Sequence, residues 1–343
     1  MNYENEKRDL MAIDDFQEDL PEIINWAINL KNDEDFSDSF KPLEGMTIGS
    51  IYEKPSTRTR VSFEVGVNKL GGQPLTLLSN DIQLGKSESV SDTAAVLSRY
   101  LDGITYRCFK HSDAELLASS ATVPVINALS DMHHPCQAAA DLMVITENKK
   151  DMKGHISWVG DGNNVLHDLL LAGVSLGHDV KYATPEGMEP NVEVIERAEN
   201  IARQTGAQIT ATNDPSEAVT DAGVIYTDIF VSMGEEHMKD KFSAFEGFQV
   251  DRDGQKPEMY QPANGSLLHA LTQHRETQPR GIQVRLFAQL PEHVSSECQE
   301  RTWPRTQRIL VILGQATRGR HHYDCMVWAR SLSTGCHGAH HQC

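Results

Sequence analysis

MTIGSIYEKPSTRTRVSFEVGVNKLGGQPLTLL, Met46–Leu78, decides the fold. Residues 46–52 follow a glycine and are mostly apolar, the mark of a short buried strand. From Arg60 to Leu70 the apolar positions Val61, Phe63, Val65, Val67 and Leu70 follow a helical pattern, and Gly71-Gly72 stops it. Residues 73–78, QPLTLL, read as the next strand. A strand, a helix and a strand in such a short span are the βαβ unit of a parallel sheet.

Between strand and helix lie Ser56, Thr57, Arg58, Thr59 and Arg60. Two readings fit them. The N–H groups of a helix N-terminus and its dipole favour an anion there. Hydroxyls and planar guanidinium forks add donors suited to phosphate. The other reading is an ordinary Ser/Thr N-cap beside two solvated arginines. Spacing alone leaves both open.

The same alternation extends outward. Residues 15–33 predict a first helix, with Phe16, Leu20, Ile23, Ile24, Ala27, Ile28 and Leu30 at helical spacing. After residue 78 come a helix (89–101), a strand (103–109), a helix (112–121), a strand (123–129) and a long helix (134–149). A second series opens at 154–162, a strand closing in a Gly-rich turn. It continues as helix 163–177, strand 178–185, helix 191–206, strand 207–214, helix 216–222 and strand 223–230. The fold class predicted is α/β: two parallel-sheet domains, 1–150 and 151–250, with a cleft between them.

The regular pattern ends near Val250. Residues 1–250 hold 20 Lys+Arg against 41 Asp+Glu, a net of −21; residues 251–343 hold 11 against 8, a net of +3. The tail also carries four of the six Cys and eight of the fifteen His. It is either a separate basic segment or out-of-frame translation, in which composition follows nucleotide usage. The loss of periodicity favours the second. Only RTQRILVILGQ (305–315) is apolar enough for one short element.

The totals exclude several functions. A net charge of −18 lacks the clustered Lys and Arg of a nucleic-acid binder. No apolar run reaches the roughly 18 residues of a membrane span. The polar, acidic N-terminus lacks the order of a secretory signal. The six cysteines show no CxxC pair, as expected of reduced thiols in the cytoplasm.

Three further stretches carry chemistry, each at the end of a predicted strand. DMHHPCQ (131–137) offers His134, a donor to a carbonyl oxygen, and Gln137, whose amide can both donate and accept. Pro135 suits a first helical turn. The plain alternative is two turn histidines beside a proline. No third ligand is spaced to make them a zinc site. WVGDGNNV (158–165) has Gly160 and Gly162 but Val165 where a dinucleotide fingerprint needs its last glycine. Asn163 and Asn164 instead present amides suited to an α-carboxylate or α-amino group; a tight Asp-Gly turn is the alternative. In TDIFVSMGEE (227–236), Asp228 is placed to hold a cationic amine or to cap a helix, with Ser232 and Met233 at the strand end.

Taken in order, these stretches resemble the ornithine carbamoyltransferases. The family's S-T-R-T-R stands at Ser56–Arg60, its H-P-x-Q at His134–Gln137, its G-D-G-N-N at Gly160–Asn164 and its D-x-x-x-S-M-G at Asp228–Gly234. Arg107 matches the arginine between the first two motifs. Gln83, in DIQLGKSES (81–89), matches a loop that reaches a neighbouring subunit. The resemblance covers about residues 8–250. S-T-R-T and H-P-x-Q are shared with aspartate carbamoyltransferase; Asn-Asn and Ser-Met-Gly point to ornithine.

The resemblance implies two Rossmann-like halves, a homotrimer or a multiple of it, and no cofactor. It implies a carbamoyl phosphate site of Ser56, Thr57, Arg58, Thr59, Gln83, Arg107, His134, Pro135, Cys136 and Gln137, with Arg58, Arg107 and His134 catalytic. Asn164, Asp228, Ser232 and Met233 would hold L-ornithine. The tail departs from the family. Where H-C-L-P-x-x-R is expected, LHALTQHR stands at Leu268–Arg275: His269, Leu271 and Arg275 fit, while Ala270 replaces Cys and Thr272 replaces Pro. Leu271 would join the carbamoyl phosphate site. The implied reaction gives L-citrulline and phosphate. Its rivals are a non-catalytic carbamoyl-phosphate-binding relic and, with no second basic clamp in 154–250, carbamoyl transfer to aspartate.

Overall fold

The computed structural model describes residues 7–148, 153–228, 244–248, 308–313 and 326–331. The chain forms two compact units. One comprises Met1–Met11, Asn25–Ser130 and Leu290–Cys343, the other Ala12–Ile24 and Asp131–Gln289.

The helix expected over 15–33 is shorter and is preceded by a 3-10 turn, Ile13–Phe16; α1 itself runs Leu20–Asn32. Pro21 explains the break. It has no N–H to give, so a helix keeps it only in its first turn. A short α2 (Glu34–Ser39), unforeseen in the sequence, follows because Asp33 caps it, accepting from the Phe36 N–H at 2.9 Å.

The first unit contains β1 (Thr47–Tyr52), α3 (Arg58–Lys69), β2 (Gln73–Leu78), α4 (Val90–Leu97), β3 (Gly103–Arg107), α5 (His111–Ser120) and β4 (Val125–Leu129). All four strands are parallel, in the order β2-β1-β3-β4. Every residue of central β3 is buried, as a parallel strand covered on both faces requires. Ile51, Ile104, Tyr106, Leu117 and Val125 lie in one apolar cluster. Edge strand β2 is partly exposed, and its place at the edge tolerates Pro74.

The second unit contains α6 (Pro135–Asn148), β5 (Ile156–Val159), α7 (Asn164–Ser175), β6 (Val180–Ala183), α8 (Val192–Thr205), β7 (Ile209–Thr212), α9 (Pro215–Val219) and β8 (Val224–Tyr226). Its sheet is again parallel, ordered β7-β6-β5-β8. Helix α7 is buried from Val165 to Val174 and is apolar nearly all round. The amphipathic α8 stops where Gly206 takes a left-handed conformation, φ 83°.

In the tail, β9 (Arg308–Leu313) and β10 (Met326–Ser331) pair antiparallel, with Met326 opposite Leu313. β9 falls within the apolar stretch 305–315. β10 was not expected, since a strand depends on a partner that local pattern does not specify.

Candidate active site

Open parallel sheets bind ligands beyond the carboxyl ends of their strands, where the strand order reverses. In the first unit that point lies between β1 and β3. The Ser56–Thr59 loop follows β1, and Arg107 is the last residue of β3. Arg107 is buried, and its Nη1 donates to the Thr59 hydroxyl at 3.3 Å. Thr57 is the N-cap residue of α3, yet its side chain makes no cap bond. Its hydroxyl is therefore not used to close the helix, which favours the anion-seat reading. Glu53 anchors the base of this loop. It accepts from the Tyr106 hydroxyl at 2.7 Å and the Phe109 N–H at 2.8 Å, joining the ends of β1 and β3.

The two arginines of the stretch part company. Arg60 runs along α3 to Glu64, Nε to Oε1 2.9 Å. The Thr76 hydroxyl reaches the same carboxylate, and the two bonds, Thr76's first, hold it below its usual range. Arg60 is thus engaged in a helix-face ion pair, while Arg58 precedes it at the helix start. Arg58 is exposed at the start of α3. Gln83 is exposed too, and accepts from Ser87 of its own loop at 2.9 Å.

In the second unit the strand order reverses between β5 and β8. The Gly160–Asn163 turn follows β5, and Asp228 comes two residues after β8 and is half-buried. Asn163 caps α7, its Oδ1 accepting from the N–H groups of Val165 at 3.0 Å and Leu166 at 3.3 Å. Asn164 is then the first helical residue, half-buried at the same end. Gly162 donates to the Met188 carbonyl at 2.9 Å, and a Cβ there would come within 2.4 Å of that backbone. This glycine thus admits the protein's own 188–190 loop, which accounts for half of the incomplete dinucleotide fingerprint.

Pro135 opens α6 as expected, and Cys136 is buried. The turn before them rests on α7. Asp168, fully buried, accepts from the His134 N–H at 2.5 Å and the Ile13 N–H at 2.8 Å, and faces His133 Nδ1 at 3.2 Å. His133 Nε2 lies 3.4 Å from Arg197 Nη1, and that guanidinium pairs with Asp14. His167 Nδ1 meets the Met132 carbonyl at 2.8 Å, while Nε2 accepts from the Asn191 N–H at 3.0 Å. Burial lowers the His167 pKa, in keeping with a neutral bridging ring. The 131–134 turn is therefore held from several sides. Sequence reasoning missed Asp168, although a carboxylate inside VLHDLLLAG was a visible signal.

Gln137 donates from Nε2 to Asp141 Oδ1 at 3.0 Å. The Tyr226 hydroxyl donates to Asp141 Oδ2 at 2.9 Å, and Trp158 stacks on the Tyr226 ring at 5.3 Å. Burial drives the Asp141 carboxyl up to about 7, against the hydrogen bonds from Tyr226 and Gln137 and helped by the charge of Asp228. Neither Asp141 nor Tyr226 was expected from the sequence. Ser232, Met233 and Leu271 lie outside the described residues. Among the described residues no group of His, Cys, Asp or Glu could hold a metal ion, and no helix is long and apolar enough to cross a membrane.

Two parallel sheets with polar groups gathered at each reversal point define a ligand-binding α/β protein of the doubly wound class. The comparisons narrow this. The carbamoyl-P binding domain of the aspartate/ornithine carbamoyltransferases matches residues 8–147, and their Asp/Orn binding domain matches 153–305. An ornithine carbamoyltransferase of Bacillus cereus is 44% identical over 277 residues, 80% of this chain and 85% of the relative. The solved ornithine carbamoyltransferase of Pyrococcus furiosus is 48% identical with a TM-score of 0.68, over 72% of this chain and 80% of that one. The anabolic enzyme of Campylobacter jejuni subsp. jejuni gives a TM-score of 0.68 at 36% identity, over 73% and 82%. The chain belongs to the aspartate/ornithine carbamoyltransferase family.

Proposed function

We propose that this chain transfers the carbamoyl group of carbamoyl phosphate to the side-chain amine of L-ornithine, giving L-citrulline and phosphate. The observation that carries the reading is the junction of Arg107 and Thr59 at the β1/β3 reversal, beside an N-cap Thr57 whose hydroxyl does no capping. Ser56, Thr57, Arg58, Thr59 and Arg107 bind the phosphate. His134 and Gln137 hold the carbamoyl end, in a segment with Pro135 and Cys136; Gln83 and Leu271 complete that site. Asn164 takes an α-group of ornithine, and Asp228 its side-chain amine, with Ser232 and Met233 in the same pocket.

In the reaction the neutral δ-amine attacks the carbamoyl carbon. A C–N bond forms, the C–O bond to phosphate breaks, and the proton given up by the amine passes to the departing phosphate. Negative charge grows on the carbamoyl oxygen and on the departing phosphate. Arg58, Arg107, His134 and the α3 N-terminus supply positive potential for both, the largest kind of contribution in such sites. No residue serves as covalent nucleophile. Because the amine must be deprotonated, the rate rises with pH through neutrality. Citrulline formation by the purified chain is the test; a carbamoyl acceptor other than ornithine would overturn the assignment.

The assembly in this reading is a homotrimer or a multiple of it. The compartment in this reading is the cytoplasm, in keeping with buried Cys108 and Cys136 forming no disulfide.

A further inference from the structure

We propose that Asp141 is the positioning residue that fixes which end of the Gln137 amide is offered to substrate, and thereby makes the site select a carbamoyl over an acetyl phosphate. This rests on the carbamoyl phosphate reading above. Gln137 and Asp141 are four residues apart on α6 and share one face of it. The Gln137 Nε2 donates to Asp141 Oδ1 at 3.0 Å. An ionised carboxylate only accepts hydrogen bonds. The amide must therefore turn its NH2 toward Asp141, leaving Oε1 on the other side as an acceptor.

Asp141 is itself held. Its second oxygen takes the Tyr226 hydroxyl at 2.9 Å. The Tyr226 ring is stacked on Trp158, its register partner on the neighbouring strand. Both carboxylate oxygens are engaged, so the carboxylate holds one rotation and passes it to Gln137. An acceptor at Oε1 suits the NH2 of a carbamoyl group. The methyl of acetyl phosphate has nearly the same size but no proton to give. A site built around a hydrogen bond rejects the analogue that lacks it far better than an apolar pocket sorts shapes.

The arrangement holds only while Asp141 is ionised. Protonated, it can donate to Oε1 and turn the amide end for end. The titratable groups facing it are Tyr226, whose phenol burial keeps protonated, and Asp228, whose negative charge favours the protonated form of Asp141. Donor selectivity therefore weakens as pH falls through about 7.

The test uses the full chain. Affinities for carbamoyl phosphate and acetyl phosphate are measured by calorimetry for the wild type, Asp141→Asn, Gln137→Ala, the double variant and Tyr226→Phe. The wild type should prefer carbamoyl phosphate. Asp141→Asn should lose roughly tenfold or more of that preference, the order expected when a hydrogen bond to a charged group is lost. In the Gln137→Ala background the same change should cost nothing further, and Asp141→Asn should abolish the pH dependence of the preference. Tyr226→Phe should give a smaller loss in the same direction. Full preference in Asp141→Asn, or an equal cost with and without Gln137, would overturn the role of Asp141. If Asp141→Asn does not fold, unchanged preference in Tyr226→Phe overturns it. A wild type that binds carbamoyl phosphate no better than acetyl phosphate overturns the parent reading instead.

Discussion

Arg107 is buried at the end of β3 with one nitrogen on Thr59, so its charge is set in place before any ligand arrives. Replacing it with leucine should cut citrulline formation by about 100- to 1,000-fold, the range for losing one preorganised donor to a developing oxyanion. Steady-state kinetics would show it in kcat as well as in KM. Asp141 gives a prediction about stability. Its folded pKa is raised from 3.8 to about 7, so across that window the folded chain binds more protons than the unfolded one. Stability from this group is present at low pH and is lost as pH rises toward 7. Asp141→Asn removes the loss, so its melting temperature should gain on the wild type between about pH 4.5 and 7.5. A difference that does not change with pH would contradict the assignment. The contiguous groups of the proposed site were visible as motifs: Ser56–Thr59 and His134–Gln137 each sit within a few residues, where one turn sets their geometry. Asp141 and Asp168 were not, because the Tyr226 bond to Asp141 spans 85 residues and the Asp168 bond to His134 spans 34.

At the scale of elements, two helix starts look alike in sequence and differ in use. Asn163 closes α7 with two bonds to backbone N–H groups, whereas Thr57 closes nothing on α3. Asn163→Ala should therefore cost about 1 kcal/mol of stability, the usual value of an N-cap. Thr57→Ala should leave chemical denaturation almost unmoved and weaken carbamoyl phosphate binding instead. If the two variants destabilise equally, Thr57 is an ordinary cap. Elements themselves were readable where periodicity was strong and stops were clear: β2 coincides with residues 73–78, and α8 ends at Gly206. They were misread where one residue overrules the period, as Pro21 does in the first helix and Asp33 does for α2.

For the whole molecule, the charge changes sign near residue 250, and the H-C-L-P-x-x-R position is altered in that same region. Residues 251–305 still fall within the matched Asp/Orn binding domain, so the family resemblance runs past that change. Light scattering should give three times the mass of one chain or a multiple of it, and a monomer would contradict the predicted assembly. The sequence by itself determined the α/β class, the alternation of strands and helices from β1 to β8, and the compact motifs. These depend on local period, caps and neighbouring residues. Only the tertiary structure decided the strand order that brings Arg107 to the S-T-R-T loop and the packing that turns Asp141 and Asp168 into supports for Gln137 and His134. Those depend on which distant segments share a dry interior, and there a carboxylate's pKa and partners are set by what surrounds it in space.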